Sequence, residues 1–314
     1  MLQNKEKLEI IIPIYNEESC LDELFRRLLF LREKLGYLDM DFIFINDGSK
    51  DRSLTILHNY AERHNFIKVI NFSRNFGHQI AVTAGLDYAD ADYIVIMDAD
   101  LQDPPELIED MYRKAKEGFD IVYGKRLTRK GETIFKKVTA KIFYGFINKM
   151  CDIEIPTDAG DFRLISKTVL KTLKQMREKH RFVRGMVPWT GFSSTPQLYN
   201  RDERYAGKTK YPFKKMVKFA LDAIFSFSNV PLRVATYFGL MIVSLGFLGS
   251  LLLLYYRFFT SIYVSGITAV ILTIIIMSGF QIIFLGLIGE YIGRIFEESK
   301  NRPLYVIKNF KNLP

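Results

Sequence analysis

The chain has 314 residues, 48% of them hydrophobic, with a formal charge of +9 and an isoelectric point near 9.3. That length holds one sizeable domain and further segments beside it, and the basic balance suits nucleic acid, anionic lipid or phosphate-bearing ligands. Two cysteines, Cys20 and Cys151, exclude a disulfide framework and a zinc pattern, and the polar residues 1–9 lack the apolar core of a secretory signal.

In chain order, residues 8–14 read as a strand and 17–34 as a helix with Leu21, Leu24, Phe25, Leu28 and Leu31 on one face. A second strand over 41–45 ends in the turn signal Asn46-Asp47-Gly48-Ser49. Further strands are expected at 67–71, 93–97 and 120–123, with helices near 51–64, 79–89 and 105–117. This alternation predicts an α/β, mostly parallel sheet covered on both faces. Ligands of such sheets bind beyond the carboxyl ends of the strands. The clusters Tyr15-Asn16-Glu17, Asn46-Asp47-Gly48 and Asp98-Ala99-Asp100 all fall at such ends, so one crevice can collect them.

After residue 123 the pattern changes. Residues 132–150 carry Ile134, Phe135, Val138, Ile142, Phe146 and Ile147 at helical spacing with interleaved lysines, which fits a helix in a lipid interface or one facing a core. Residues 211–233 repeat the pattern beside two long apolar runs, 234–256 and 262–289. A hydrocarbon core about 30 Å thick needs about 20 apolar helical residues, so each run can span, and the pair forms a hairpin. Basic residues crowd the approach to the first run (Lys208, Lys210, Lys214, Lys215, Lys218, Arg233) and follow the second (Arg294, Lys300, Arg302, Lys308), while Arg257 stands alone between them. The positive-inside rule then puts both termini in the cytoplasm. The expected order is a cytoplasmic domain over 1–210, an interfacial helix over 211–233, the two spans, and a tail over 290–314. Such spans favour lipid or phosphate over nucleic acid as the partner of the basic charge.

Asp98 and Asp100, one residue apart at a strand end, offer hard oxygen ligands for Mg²⁺ or Mn²⁺, and Gln102 adds a neutral oxygen. By contrast, His58, His64, His78 and His180 lack metal-ligand spacing, which gives them surface or core roles. Within the second span, Gly286, Gly289 and Gly293 lie along one face and Gln281 is a polar intruder, features that suit packing of the hairpin on itself or in a homo-oligomer, dimer or tetramer.

Five segments occur together in a fixed order: Pro13-Ile14-Tyr15-Asn16-Glu17, Asn46-Asp47-Gly48-Ser49, Ser73-Arg74-Asn75-Phe76-Gly77, Asp98 through Glu106, and Asp158-Ala159-Gly160-Asp161-Phe162-Arg163. In this the chain resembles the inverting family 2 glycosyltransferases, in particular the polyprenyl-phosphate hexosyltransferases, similar to dolichol-phosphate mannose synthases and bacterial bactoprenol glucosyltransferases. The resemblance implies a GT-A, Rossmann-like fold. It also implies a nucleotide cradle from Pro13, Tyr15, Glu17 and Asp47, with Asn46 standing where many members have a first aspartate. Arg74 resembles a nucleotide-side or phosphate-side contact, Asp98, Asp100 and Gln102 match the metal and diphosphate site, and Asp161 or Asp158 matches the acidic group beside the acceptor. A lipid phosphate with a second pKa of about 6 is substantially dianionic, so Asp161 is expected to position or polarise more than to act as a base. An anionic acceptor needs cations, and Arg126, Arg129, Arg163, Arg201, Arg204 and Lys208 lie between the acidic motifs and the first span.

The implied reaction moves one hexose from a nucleotide donor, UDP-glucose first among candidates, to undecaprenyl phosphate, with a flippase acting downstream. GDP-mannose, UDP-N-acetylglucosamine or a modified aminopentose nucleotide are alternative donors. A processive polysaccharide synthase and a membrane scaffold are the rival readings. The first of these is disfavoured because the Gln-x-x-Arg-Trp signature has only a loose echo over residues 184–189.

Overall fold

The computed structural model describes residues 5–127, 159–200, 230–259 and 266–313. The expected helix over 132–150, nearly all of the interfacial helix over 211–233, and Arg129, Asp158, Arg201, Arg204 and Lys208 lie outside the described residues. The chain forms β1 (Lys7–Ile14), α1 (Glu18–Lys34), β2 (Asp39–Asn46), α2 (Ser53–Arg63), β3 (Ile67–Phe72), α3 (His78–Tyr88), β4 (Tyr93–Ile96), α4 (Ile108–Lys116) and β5 (Ile121–Arg126). There follow β6 (Ala159–Ser166), α5 (Lys167–Gln175), α6 (Val183–Trp189), β7 (Ser194–Tyr199), α7 (Val230–Phe259), α8 (Ile267–Ser299) and β8 (Ile307–Lys311).

The eight strands make one mixed sheet in the order β7-β5-β6-β4-β1-β2-β3-β8. Six strands run one way, and β6 and β8 run against them. β1 is buried almost throughout because both sheet faces are covered: Ile10 and Ile12 pack with Leu21, Leu24 and Phe25 of α1, whereas Ile11 packs with Ala81 and Val82 of α3. Successive side chains of a strand point to opposite faces, so a doubly covered strand requires a nearly continuous apolar run; the charge inside β1, buried Glu9, is paired with Lys7 and Lys68 at 3.2 and 2.8 Å. α3 lies so close to the sheet that a Cβ on Gly85 would sit 2.3 Å from Ile11 Cγ2. From β1 the chain goes to β2 on one side, then returns after α3 to β4 on the other. The strand order therefore reverses between β1 and β4, and their carboxyl ends flank the crevice where such sheets bind ligands.

Three strands were absent from the sequence expectations. β6 carries the Asp161-Phe162-Arg163 motif, β7 is an edge strand that tolerates Pro196, and β8 comes from the segment expected to be a tail. β8 pairs antiparallel with β3 after both long helices have intervened. Tyr305 stacks on Phe72 with ring centroids 5.2 Å apart and its hydroxyl donates to Asp87 Oδ2 at 2.8 Å. Asn312 Nδ2 lies within hydrogen-bond distance of the carbonyls of Ala61, His64 and Ile67, at 2.6, 3.3 and 2.9 Å. Deleting residues 307–313 should strip the β3 edge and lower the thermal midpoint of the full-length protein in detergent by at least about 5 °C. An unchanged midpoint would show that β8 is a passive appendage.

α7 and α8 have 30 and 33 residues, and the windows Val230–Gly249 and Ile276–Ser299 are long and apolar enough to cross a membrane. Their large side chains are mostly exposed, including Tyr237, Phe258 and Ile282. The two helices touch through Phe238, whose ring lies 4.9 Å from Phe280 and 6.2 Å from Phe284. Among the described residues nothing lies within 4 Å of a Cβ position on Gly286, Gly289 or Gly293, and Gln281 is exposed, so these positions leave room beside α8.

Candidate active site

The loops that leave β1 and β2 are tied to each other. Asn16, at φ 54°, donates its backbone N–H to Ser49 Oγ at 3.0 Å, and its Oδ1 accepts from the Lys50 N–H at 2.8 Å. The Glu17 N–H reaches Ser53 Oγ at 3.0 Å. Pro13 is buried within β1, Glu17 is half-buried, and Tyr15 is exposed at the rim.

Asp47 is buried at the exit of β2 and organises the next loop. Its Oδ1 accepts from the Phe76 N–H at 2.6 Å, and its Oδ2 accepts from Gly77 N–H at 3.0 Å and from Asn75 Nδ2 at 2.8 Å. Burial pushes its carboxyl up, although the Phe76 and Gly77 amides pull it back. Both Asp47 oxygens thus hold the start of α3. Arg74, on the same loop, is exposed, with its guanidinium 4.0 Å over the Phe76 ring. Asn46 is turned into the sheet: its Nδ2 donates to Asn71 Oδ1 at 2.8 Å, and Asn71 Nδ2 donates to Asn309 Oδ1 at 2.7 Å.

At the exit of β4, Leu101 adopts φ 59°, uncommon for a leucine, and the Gln102 N–H closes the turn on Asp100 Oδ1 at 3.2 Å. Asp100 and Leu101 are buried, while Asp98 and Gln102 are half-buried. Burial pushes the Asp98 carboxyl up to about 6; His78 opposes this, and Asp161, Asp103 and Asp100 add to it.

Asp161 on β6 faces this cluster. Arg184, from α6, forks onto it with Nε 2.7 Å from Oδ1 and Nη2 2.8 Å from Oδ2. His78, the first residue of α3, places Nε2 3.1 Å from Asp161 Oδ2 and 3.6 Å from Asp98 Oδ1. Burial alone would raise the Asp161 carboxyl, but Arg184 and then His78 hold it well below the usual carboxylate range. Burial likewise disfavours a charged His78, yet Asp98 and then Asp161 raise it to about 9.

Arg126, at the end of β5, sits 3.9 Å from Asp103 Oδ1 and donates from Nε to the Tyr199 hydroxyl at 3.4 Å. The Tyr199 hydroxyl itself donates to Asp103. Arg163 is buried and donates to the backbone carbonyls of Asp161 and Gly160, at 3.3 and 2.9 Å.

Residues 9–174 match the family model described as Glycosyl transferase family 2. The chain belongs to glycosyltransferase family 2. Relatives of this glycosyltransferase match it nearly end to end. The uncharacterized glycosyltransferase YkcC of Bacillus subtilis (strain 168) is 49% identical over 95% of this chain and 92% of that protein. The bactoprenol glucosyl transferase of Shigella phage SfV is 37% identical over 97% of this chain and 99% of that protein. Among solved structures, glucosyl-3-phosphoglycerate synthase from Mycobacterium tuberculosis, in complex with Mn²⁺, uridine-diphosphate and phosphoglyceric acid, is 13% identical with a TM-score of 0.48, covering 70% of this chain and 76% of that one. The family match agrees with the mixed, mostly parallel sheet, which is of the GT-A type.

Set beside the sequence expectations, the glycosyltransferase brings Asp98 and Asp161 into one cluster and wraps Asp47 around the loop that precedes His78. His78, expected at the surface or in the core, is instead at the centre of the site. Arg184 was visible only as the first residue of a weakly matching segment. The side chains of Arg163 and Asn46 are bonded to backbone and sheet partners respectively. His78, Asp98 and Asp161 offer ligand atoms within 4.8 Å of one another and could hold a metal ion. The carboxylates of this set suit a divalent cation, because Asp98 carries a raised carboxyl amid the crowded charges of Asp100, Asp103 and Asp161, a surplus that a cation would relieve, whereas His78 Nε2 could ligate only after losing its hydrogen. Both Asp161 oxygens already receive Arg184, which leaves Asp98 as the less encumbered carboxylate of this group.

Proposed function

We propose that this enzyme transfers a single hexose, glucose from UDP-glucose, to undecaprenyl phosphate at the cytoplasmic face of a membrane, with Mg²⁺ or Mn²⁺ as cofactor. The observation that carries the acceptor is the end-to-end match to a bactoprenol glucosyl transferase, which takes in the helix pair as well as the sheet.

In this reading the loops at 15–17 and 46–49, with Arg74, cradle the nucleotide. Asp98 and Asp100, with Gln102, would hold the metal, which when bound acts as a Lewis acid on the departing diphosphate. The acceptor phosphate oxygen forms a bond to the anomeric carbon as the bond to the diphosphate breaks on the opposite face. Configuration inverts, and the bonding pair leaves with the nucleotide. Arg126, beside Asp103 and Tyr199 at the end of β5, is assigned to the incoming phosphate, with Arg129, Arg204 and Lys208 as further candidates. The catalytic body covers 1–210, and 211–233 leads into the spans. Because β8 rejoins the sheet that precedes the helices, both ends of the helix pair return to one body, which supports an even number of crossings. The basic flanks assign that body to the cytoplasm. The lipid-linked product would then need a flippase to cross.

The test is to incubate membranes holding the full chain with radiolabelled sugar nucleotides, Mg²⁺ or Mn²⁺, and undecaprenyl phosphate. Label in lipid from UDP-glucose is expected. Long polymer would favour a processive synthase, and label in neither would favour a scaffold. Arg126→Ala should raise the acceptor KM about tenfold, the loss expected for one charge-assisted hydrogen bond, with the donor KM unchanged. Equal shifts in both would remove Arg126 from the acceptor side.

A further inference from the structure

We propose that Arg184 and His78 form a clamp that turns Asp161 into a positioning group, so that the site takes an acceptor already ionised, a phosphate monoester, and rejects one whose hydroxyl must first lose a proton. The inference rests on the reading given under Proposed function and identifies residues that set its acceptor class.

The carboxylate that would serve as a base is not available for that work. Arg184 occupies Oδ1 from Nε at 2.7 Å and Oδ2 from Nη2 at 2.8 Å, the planar fork that matches a carboxylate. His78 Nε2 lies 3.1 Å from the same Oδ2; an ionised carboxylate only accepts, so that nitrogen carries the hydrogen. A third restraint comes from Arg163, which holds the backbone carbonyls of Asp161 and Gly160 and so fixes this stretch of β6. To serve as a base, Asp161 would have to release an arm of the Arg184 fork, a contact buried at its carboxylate end and half-buried at its guanidinium. A hydroxyl acceptor needs that proton removed as it attacks, whereas a phosphate oxygen does not. The clamp also cancels the negative charge that Asp161 would otherwise turn toward an incoming anion.

The same geometry says what releasing the clamp does. With Arg184 gone, Asp161 can accept a proton from water while the water oxygen bonds to the anomeric carbon and the diphosphate leaves with the bonding pair. The products are free hexose and nucleoside diphosphate. Arg184 therefore acts through Asp161 and governs the ratio of lipid transfer to donor hydrolysis.

The experiment uses the full chain in detergent with labelled UDP-glucose and Mn²⁺, and compares undecaprenyl phosphate with undecaprenol. The wild type should label the phosphate alone. Arg184→Met should raise the hydrolysis-to-transfer ratio about tenfold, as expected for loss of one charge-assisted contact. Adding Asp161→Asn should abolish that rise, an outcome that a merely structural role for Arg184 would not produce. Arg184→Lys keeps the charge without the fork and should fall between; it decides the matter if the methionine variant does not fold. Undecaprenol labelled as well as the phosphate, or a ratio unmoved in the folded Arg184 variants, overturns the clamp while leaving lipid glycosylation standing. Label in neither lipid from the wild type overturns the proposed function and the clamp together.

Discussion

Asp98→Asn should reduce sugar transfer by at least about 10³-fold, the scale on which electrostatic stabilisation of a leaving group acts, while the thermal midpoint stays level or rises. The two halves of this result have one cause. Asp98 stands where burial and the neighbouring Asp161, Asp103 and Asp100 all oppose its charge, and its nearest cation, His78, is 3.6 Å away. The fold gains little from that charge, so removing it relieves desolvation and repulsion. The proposed metal ion and diphosphate, by contrast, would require it. Calorimetric Mn²⁺ titration, melting curves and label transfer on the same preparation check all three points. Retained Mn²⁺ affinity together with retained transfer would place the metal elsewhere.

Gly48→Ala should raise the donor KM at least about tenfold and destabilise the protein by about 2–4 kcal/mol, the sum of left-handed backbone strain and a steric clash. Gly48 has φ 65°, and a Cβ there would lie 2.6 Å from Arg74 C and from Asn75 N. Those are main-chain atoms and cannot swing aside. The 73–77 loop must shift instead, drawing the Phe76 and Gly77 amides off Asp47 and moving His78 with them. Gly118 is the control: φ is 102° but nothing lies within 4 Å of its Cβ position, so Gly118→Ala should cost stability and leave the donor KM alone. Melting curves and donor titrations on both variants separate strain from site damage. Equal donor KM values would dissociate the 46–49 turn from nucleotide binding.

The central strands were legible because each is buried on both faces and is apolar along most of its length; in the runs over 8–14 and 41–45 only Glu9 and Asp41 interrupt, and both pair with Lys68. β6 escaped notice because its buried Asp161 and Arg163 break that pattern with charges that only the fold neutralises. β7 is an edge strand interrupted by a proline, and β8 pairs with a strand more than two hundred residues earlier, beyond the reach of any local signal. The site divides in the same way. Asp47, Asp98, Asp100 and Asp161 could be found because they sit in short ordered motifs. His78 meets Asp161 across 83 positions and Arg184 meets it across 23, so neither pairing has a spacing to read. Arg163 shows the converse limit: its place in a motif marked it as an acceptor ligand, whereas its guanidinium is directed to two backbone carbonyls.

The return of the chain to β3 also orders events during synthesis. β8 follows both apolar helices, so the last edge of the sheet is added only after they have left the ribosome. Until then Asn71 has no Asn309 to bond, and the Asn46-Asn71 pair between β2 and β3 lacks its outer anchor. The β3 edge of the sheet, and with it the surroundings of Asn46 next to Asp47, is therefore completed last in synthesis, after both long helices already exist.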